Sequence, residues 1–222
     1  MINRISILLV AGVMILFTQS CKKEGCTDPN SKNYNEKAEI DNGTCLSSSY
    51  LVIEQTIGGE VYQKIVGTID EDFTFLATKK WLLSGGVFID NGATLTIEAG
   101  TEVYAANDGA AAFLAIQRGA KINAVGTASQ PIVLSTIKKV TSTPAVGDWG
   151  GLIINGKATI NSGTEASGEG GTGLFGGNDD NDNSGIIKYV RVEYAGKLLS
   201  TDNELNAFSF NGVGSGTVVE YI

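Results

Sequence analysis

The chain has 222 residues, a net charge of -8, 29 Gly, only 3 Pro and no His. With 24 acidic against 16 basic residues it offers no basic face for nucleic acid, which is not an expected partner. Without His, no Ser-His-Asp triad, Cys-His pair or His-ligated zinc site can form within the chain, whose 42% hydrophobic share is ordinary for a globular protein.

Residues 1–20 read as an export signal. Arg4 gives a short positive start, and residues 5–17, "ISILLVAGVMILF", form an apolar run. The run is too short to span a bilayer comfortably, which favours a cleaved signal over a membrane helix. The following "TQSC" resembles the lipobox, the signal-peptidase site of bacterial lipoproteins. That resemblance implies cleavage before Cys21 and lipid attachment to it; the alternative is a plain signal peptide with an incidental cysteine. Several acyl chains would anchor the protein stably to a lipid bilayer. The next residue is Lys22, not the Asp that retains enterobacterial lipoproteins at the inner membrane, so the expected location is the outer membrane, facing either way.

Three cysteines are present, and a lipid-bearing Cys21 leaves Cys26 and Cys45. An exported protein meets an oxidising environment, so these two are expected to pair. Closing such a loop contributes roughly 3 kcal/mol in the chain-entropy model. The segment needs it, because "CTDPNSKNYNEKAEIDNGTC" has almost nothing to build a core from. Gly25, Cys26, Thr27, Asp28, Pro29, Asn33, Tyr34, Asn35, Ala38, Asp41, Gly43 and Cys45 resemble a small Cys-bounded module of exported Bacteroidota proteins. Asp28, Asp41 and Asn42 carry oxygens suited to Ca²⁺, and equally the side chains that turns favour. Residues 21–50 are thus anchor, module and linker, the linker being "LSSSY" at 46–50.

From residue 51 the pattern changes. "YLVIEQTIGGEVYQKIVGTI" reads as strand with Gly58-Gly59 as a turn. Alternation of period two continues through Val87, Ile89, Leu95, Ile97 and Val103, and no window of ten residues shows a clear helical period. The region 51–222 is expected to be all-β.

Three phrases recur: "NGATLTIEAGT" at 91–101, "RGAKINAVGT" at 118–127 and "NGKATINSGT" at 155–164. Aligning Ile89, Ile116 and Ile154 brings Gly92, Gly119 and Lys157 into register, with Ala93, Ala120 and Ala158 beside them. The spacings are 27 residues (116 − 89) and 38 residues (154 − 116). A fixed unit with variable insertions marks a solenoid whose loops leave at the corners, as "STPAVGDWGG" would. A parallel β-helix stacks inward Ile, Leu and Val of each coil on those of the next. A β-sandwich is the alternative fold, since it too has short strands and Gly-rich turns. Propeller blades would need longer units.

"LLSGGVFIDNGATLTIEAGTEV", "DWGGLIINGKATIN", "GIIKYVRVEYAG" and "NGVGSGTVVEYI" resemble a family of Bacteroidota exported lipoproteins over residues 65–222. The resemblance implies a right-handed parallel β-helix of the pectate-lyase-like kind. Family members continue beyond this length, and "VVEYI" ends within an expected strand without a cap, so the chain is expected to be C-terminally truncated.

Candidate chemistry is sparse. Polysaccharide lyases and hydrolases on β-helices use clustered Asp or Glu, with Ca²⁺, Arg or Lys. The densest acidic run is "GGNDDNDNSG", 176–185. In it Asp180, Asp182, Ser184 and Gly185 match the opening of a calcium loop, while the position for its bidentate Glu holds Arg191. A solvated turn is the plainer reading. Arg191 and Glu193 alternate with Val190 and Val192, which puts both on an outer strand face, as a ligand-facing row or simply a solubilising one. Trp149 and Trp81 are candidates for sugar stacking or for core filling. No acid–base set assembles. The expected role is binding or structural, towards glycans or surface proteins. The rival is a carbohydrate-active enzyme whose site lies in a missing C-terminal part, and a spacer is a third possibility.

Overall fold

The computed structural model describes residues 22–29, 31, 34–45 and 49–222. The export signal, Cys21, Asn33 and residues 46–48 lie outside the described residues. The chain forms two compact units, Met1–Ser48 and Ser49–Ile222.

Among the described residues of the first unit, regular structure is slight. Glu24–Gly25 pairs in parallel with Ile40–Asp41. Cys26 and Cys45 form a disulfide, with Cα atoms 4.8 Å apart. Gly25 is packed so closely that a Cβ there would lie 3.0 Å from the Asn35 amide. Asp41 Oδ1 accepts the Gly43 N–H, and Asn42 Oδ1 accepts the Thr44 N–H and hydroxyl. Those are Asx turns, in which the side chain stands in for a backbone acceptor. Two of the three side chains suited to Ca²⁺ here, Asp41 and Asn42, are thus used to shape the loop.

The second unit is a stack of parallel coils preceded by a hairpin. Tyr50–Ile57 runs antiparallel to Glu60–Ile69. Tyr50, read from sequence as the end of a linker, opens that hairpin. Gly58 and Gly59 have φ of +60° and +88°, the left-handed pair that a two-residue turn requires. Glu60–Ile69 is also the start of the solenoid, because it pairs in parallel with Lys80–Ile89.

Each coil has three faces. The second face is made by Phe73–Phe75, Thr94–Ile97, Lys121–Val125, Gly185–Lys188 and Val218–Glu220, one strand per coil and all parallel. The third face takes the first halves of Glu60–Ile69 and Lys80–Ile89, then Glu102–Ala105, Ile132–Thr136 and Val190–Val192. The first face takes the second halves of those two long strands, then Phe113–Ile116, Leu152–Asn155 and Phe208–Asn211. The long strand Glu60–Ile69 turns the corner at Gly67, whose φ is +97° and whose Cβ would clash with the Ser49 carbonyl oxygen. Parallel pairing around all three faces excludes the β-sandwich, whose sheets are antiparallel.

Burial follows the alternation. In Lys121–Val125 only Ile122 and Ala124 face inward, both fully buried. On the first face Ile69, Ile89, Ile116 and Ile154 lie in direct register, with Phe210 above them. All four Ile are fully buried. Each presents the same branched face to its neighbours about 4.8 Å away, which excludes water along the whole axis. At the hairpin end, Phe75 and Trp81 stack with centroids 4.4 Å apart, and Phe73 meets Trp81 edge-on. Trp81 therefore fills the end of the core and is not a sugar platform.

The corner after each aligned Ile repeats as well. The Ala93 N–H donates to the Asp90 carbonyl and the Ala120 N–H to the Gln117 carbonyl, both at 3.0 Å. The third phrase breaks from this pattern. Ile154 and Ala158 stack in place, but residues 159–164 leave the coil, and Gly163-Thr164 lies in an exposed turn. The second-face strand of that coil is Gly185–Lys188. Its Gly185 has φ +119° and comes so close to Ile122 that any Cβ would strike its carbonyl.

Candidate functional site

The outer surface of the third face carries the sequence-predicted pair. Arg191 and Glu193 project outward from the Val190–Val192 strand, with Val190 buried behind them. Arg191 Nε lies 3.2 Å from Glu193, and Lys139 Nζ lies 2.6 Å from the other carboxylate oxygen. Ser135 Oγ donates to the same oxygen at 3.2 Å. Burial pushes the Glu193 carboxyl up, but Lys139, Ser135 and Arg191 outweigh it, and it sits below its ordinary value. One register step away, Tyr104 donates to Glu102 at 3.1 Å; burial and that carboxylate raise the phenol. This wall is charged but internally paired. A ligand would have to displace existing partners to use it.

Trp149 is 1% exposed, packed in the core with its Nε1 donating to the Glu193 carbonyl at 2.8 Å. It offers no ring face to a ligand. Its task is to seal the corner where residues 137–151 leave and rejoin the coil.

The acidic run is also committed. Asp180 Oδ1 accepts the Thr159 N–H at 3.0 Å. Asp182 is buried and accepts the Ser184 hydroxyl at 2.8 Å, while the Ser184 N–H is taken by Thr217. Among the described residues no cluster of three His, Cys, Asp or Glu side chains is placed to hold a metal. Asp180, Asp182 and Ser184 thus each have a side-chain oxygen engaged within the fold, whereas Ca²⁺ takes six to eight oxygens.

A different site emerges on the first face, where two excursions meet. Residues 159–184 leave the coil and carry the short hairpin Ala166–Ser167 with Leu174–Phe175. Residues 195–207 carry a second, Leu198–Ser200 with Asn203–Glu204. Between them and the coil lies a groove of about 270 Å³. Its floor is Ile153 and Leu205, with Phe175 at one side. Its walls are Ser167, Glu169, Thr172, Glu204, Asn206, Ser209 and Asn211.

The groove is braced from below by an amide ladder. Asn155 is fully buried just after the stacked Ile154, and Asn211 sits above it just after Phe210. Asn211 Nδ2 donates to Asn155 Oδ1 at 3.0 Å. Asn155 Nδ2 donates to the Thr172 carbonyl at 2.9 Å, and Gln117 Nε2 donates to the same carbonyl at 2.8 Å. The two excursions also clamp each other. Glu169 accepts the Glu204 N–H at 3.2 Å, and the Gly170 N–H donates to Asn203 Oδ1 at 3.0 Å. The walls are therefore held before any ligand arrives, which reduces the ordering cost of binding.

Sequence reading missed every groove residue. One signal was available. "ING" at 154–156 and "FNG" at 210–212 place the same Asn-Gly step after a stacked apolar residue. The rest, Glu169 and Glu204 above all, come from excursions with no repeat to align.

Chemically, the groove presents hydroxyls, amides and carboxylates around an apolar floor. That combination matches the hydroxyl edges and C–H faces of a sugar ring. Glu169 has one oxygen engaged by a backbone N–H, which helps fix the wall.

The family model of the pectate-lyase like beta helix domain matches residues 67–222. No curated protein and no solved structure matches the chain. The matched span covers every coil from Gly67 onward, and its description fits a carbohydrate-related role. Stacked parallel coils with an aliphatic axis and the family match agree: the chain belongs to the pectate-lyase like beta helix family.

Proposed function

We propose that this protein is an exported, lipid-anchored β-helix of the outer membrane that binds carbohydrate in the first-face groove without cleaving it. The observation that carries the reading is the preorganised groove between the two excursions, polar on its walls and apolar on its floor. Support for the anchor comes from the apolar run at 5–17 ending at Cys21. Support for binding over catalysis comes from Glu169, whose carboxylate is used to hold the neighbouring loop.

The test is a glycan array probed with the purified protein and with a Glu204→Gln, Asn206→Ala double variant. Retention by the parent and at least about tenfold weaker retention by the variant is expected, the loss of a few hydrogen bonds in a fixed site. New reducing ends would identify a hydrolase and unsaturated products a lyase; either outcome replaces the binding reading. No retention, with capture of a surface protein instead, would move the role to adhesion. Mass spectrometry of the mature protein should show an acylated Cys21, and an unmodified one removes the anchor.

A further inference from the structure

The proposed groove is acidic and holds no cation. Its ionisable lining is Glu169 and Glu204; no Lys or Arg lines it. The cations nearby in the fold are turned elsewhere. Arg118 reaches the first excursion, but its guanidinium lies 2.6 Å from Glu165 and donates to the Gly176 carbonyl. Lys197, on the second excursion, does not line the groove.

A ligand's charge decides whether it can enter such a groove. A uronate ring brings a carboxylate that needs a cation or a cluster of N–H donors. Here it would meet two carboxylates, one fixed in place by the Glu204 N–H. Like charges brought together in one groove repel, the more so at low salt. A hexose carries hydroxyls instead, and these donate to Glu169, Glu204 and the Asn206 and Asn211 side-chain oxygens. The lining is rich in acceptors, which suits a donor-rich ligand.

Resting on the carbohydrate-binding reading, we infer that the groove selects non-acidic glycans, neutral or amino-bearing, and rejects uronate chains. The selection is built from charge alone. Glu204 is the element to vary, since one Glu169 oxygen also braces the wall.

The experiment uses matched pairs of immobilised oligosaccharides that differ only at C6, hydroxymethyl against carboxylate. The purified protein should bind the neutral member at least about tenfold more tightly than its oxidised partner, the scale of one unfavourable charge contact. The gap should shrink as salt is raised, because screening weakens the repulsion. In a Glu204→Lys variant the oxidised member should gain at least about tenfold, while a Glu204→Gln variant narrows the gap without reversing it. Equal or tighter binding of the oxidised member by the unaltered protein overturns the inference and leaves carbohydrate binding standing. A gap that Glu204→Gln leaves unchanged also overturns it. Binding of neither member removes the carbohydrate reading itself, and the inference with it.

Discussion

Asn155 is the residue on which most of the candidate site depends. It is fully buried, accepts from Asn211 and donates to the Thr172 carbonyl. Replacing it with Ala leaves the Asn211 amide short of an acceptor and takes a donor from Thr172, in a region with little water to compensate. Urea denaturation of Asn155→Ala should show a loss of about 2 kcal/mol, the penalty for orphaning a buried polar group. A loss under about 0.5 kcal/mol would mean that the ladder is incidental. Position and role of this Asn were hidden in the sequence because an Asn-Gly step reads first as a turn. Only stacking of coils shows that its side chain meets the Asn of the next coil and reaches out to the excursion. At Trp149 the sequence left sugar stacking and core filling open, and burial decides for the core, where the corner needs a large ring to close it.

Among the elements, the first-face stack was the most legible. Ile89, Ile116 and Ile154 align in sequence and pair in space, because the inward position is the one least free to vary. The central member has a coil on each side, so truncating it leaves a cavity that neither neighbour can fill. Ile116→Ala should cost about 3 to 4 kcal/mol in chemical denaturation. A cost near 1 kcal/mol would indicate that the coils relax around the gap. The third phrase misled for a local reason. "KATIN" alternates like its two predecessors, but alternation says only that a segment is able to pair, not that a strand edge awaits it. That edge, Lys121–Val125, is taken by Gly185–Lys188. The glycine wins the place because the closest approach of the backbones is at Gly185, where a side chain does not fit.

At the scale of the whole molecule, regular and irregular parts are unevenly shared. Aligned first-face positions are 20 residues apart at one end, from Ile69 to Ile89 (89 − 69), and 56 apart at the other, from Ile154 to Phe210 (210 − 154). Near the hairpin the coils are almost bare; further along they carry the excursions that build the groove. The solenoid's class was readable because repetition fixes it many times over. The groove was not, because each wall occurs once and its shape is set by contacts between segments distant in sequence, such as Gly170 with Asn203. The same division separates what holds the protein together from what it presents to others. The stacked aliphatic side chains keep their coil neighbours whatever hangs outside, so the stretch between Thr159 and Ser184 can vary in length and sequence as long as it returns the Thr172 carbonyl to Asn155. Descendants of one such framework are free to diversify their recognition surfaces while inheriting an unaltered spine.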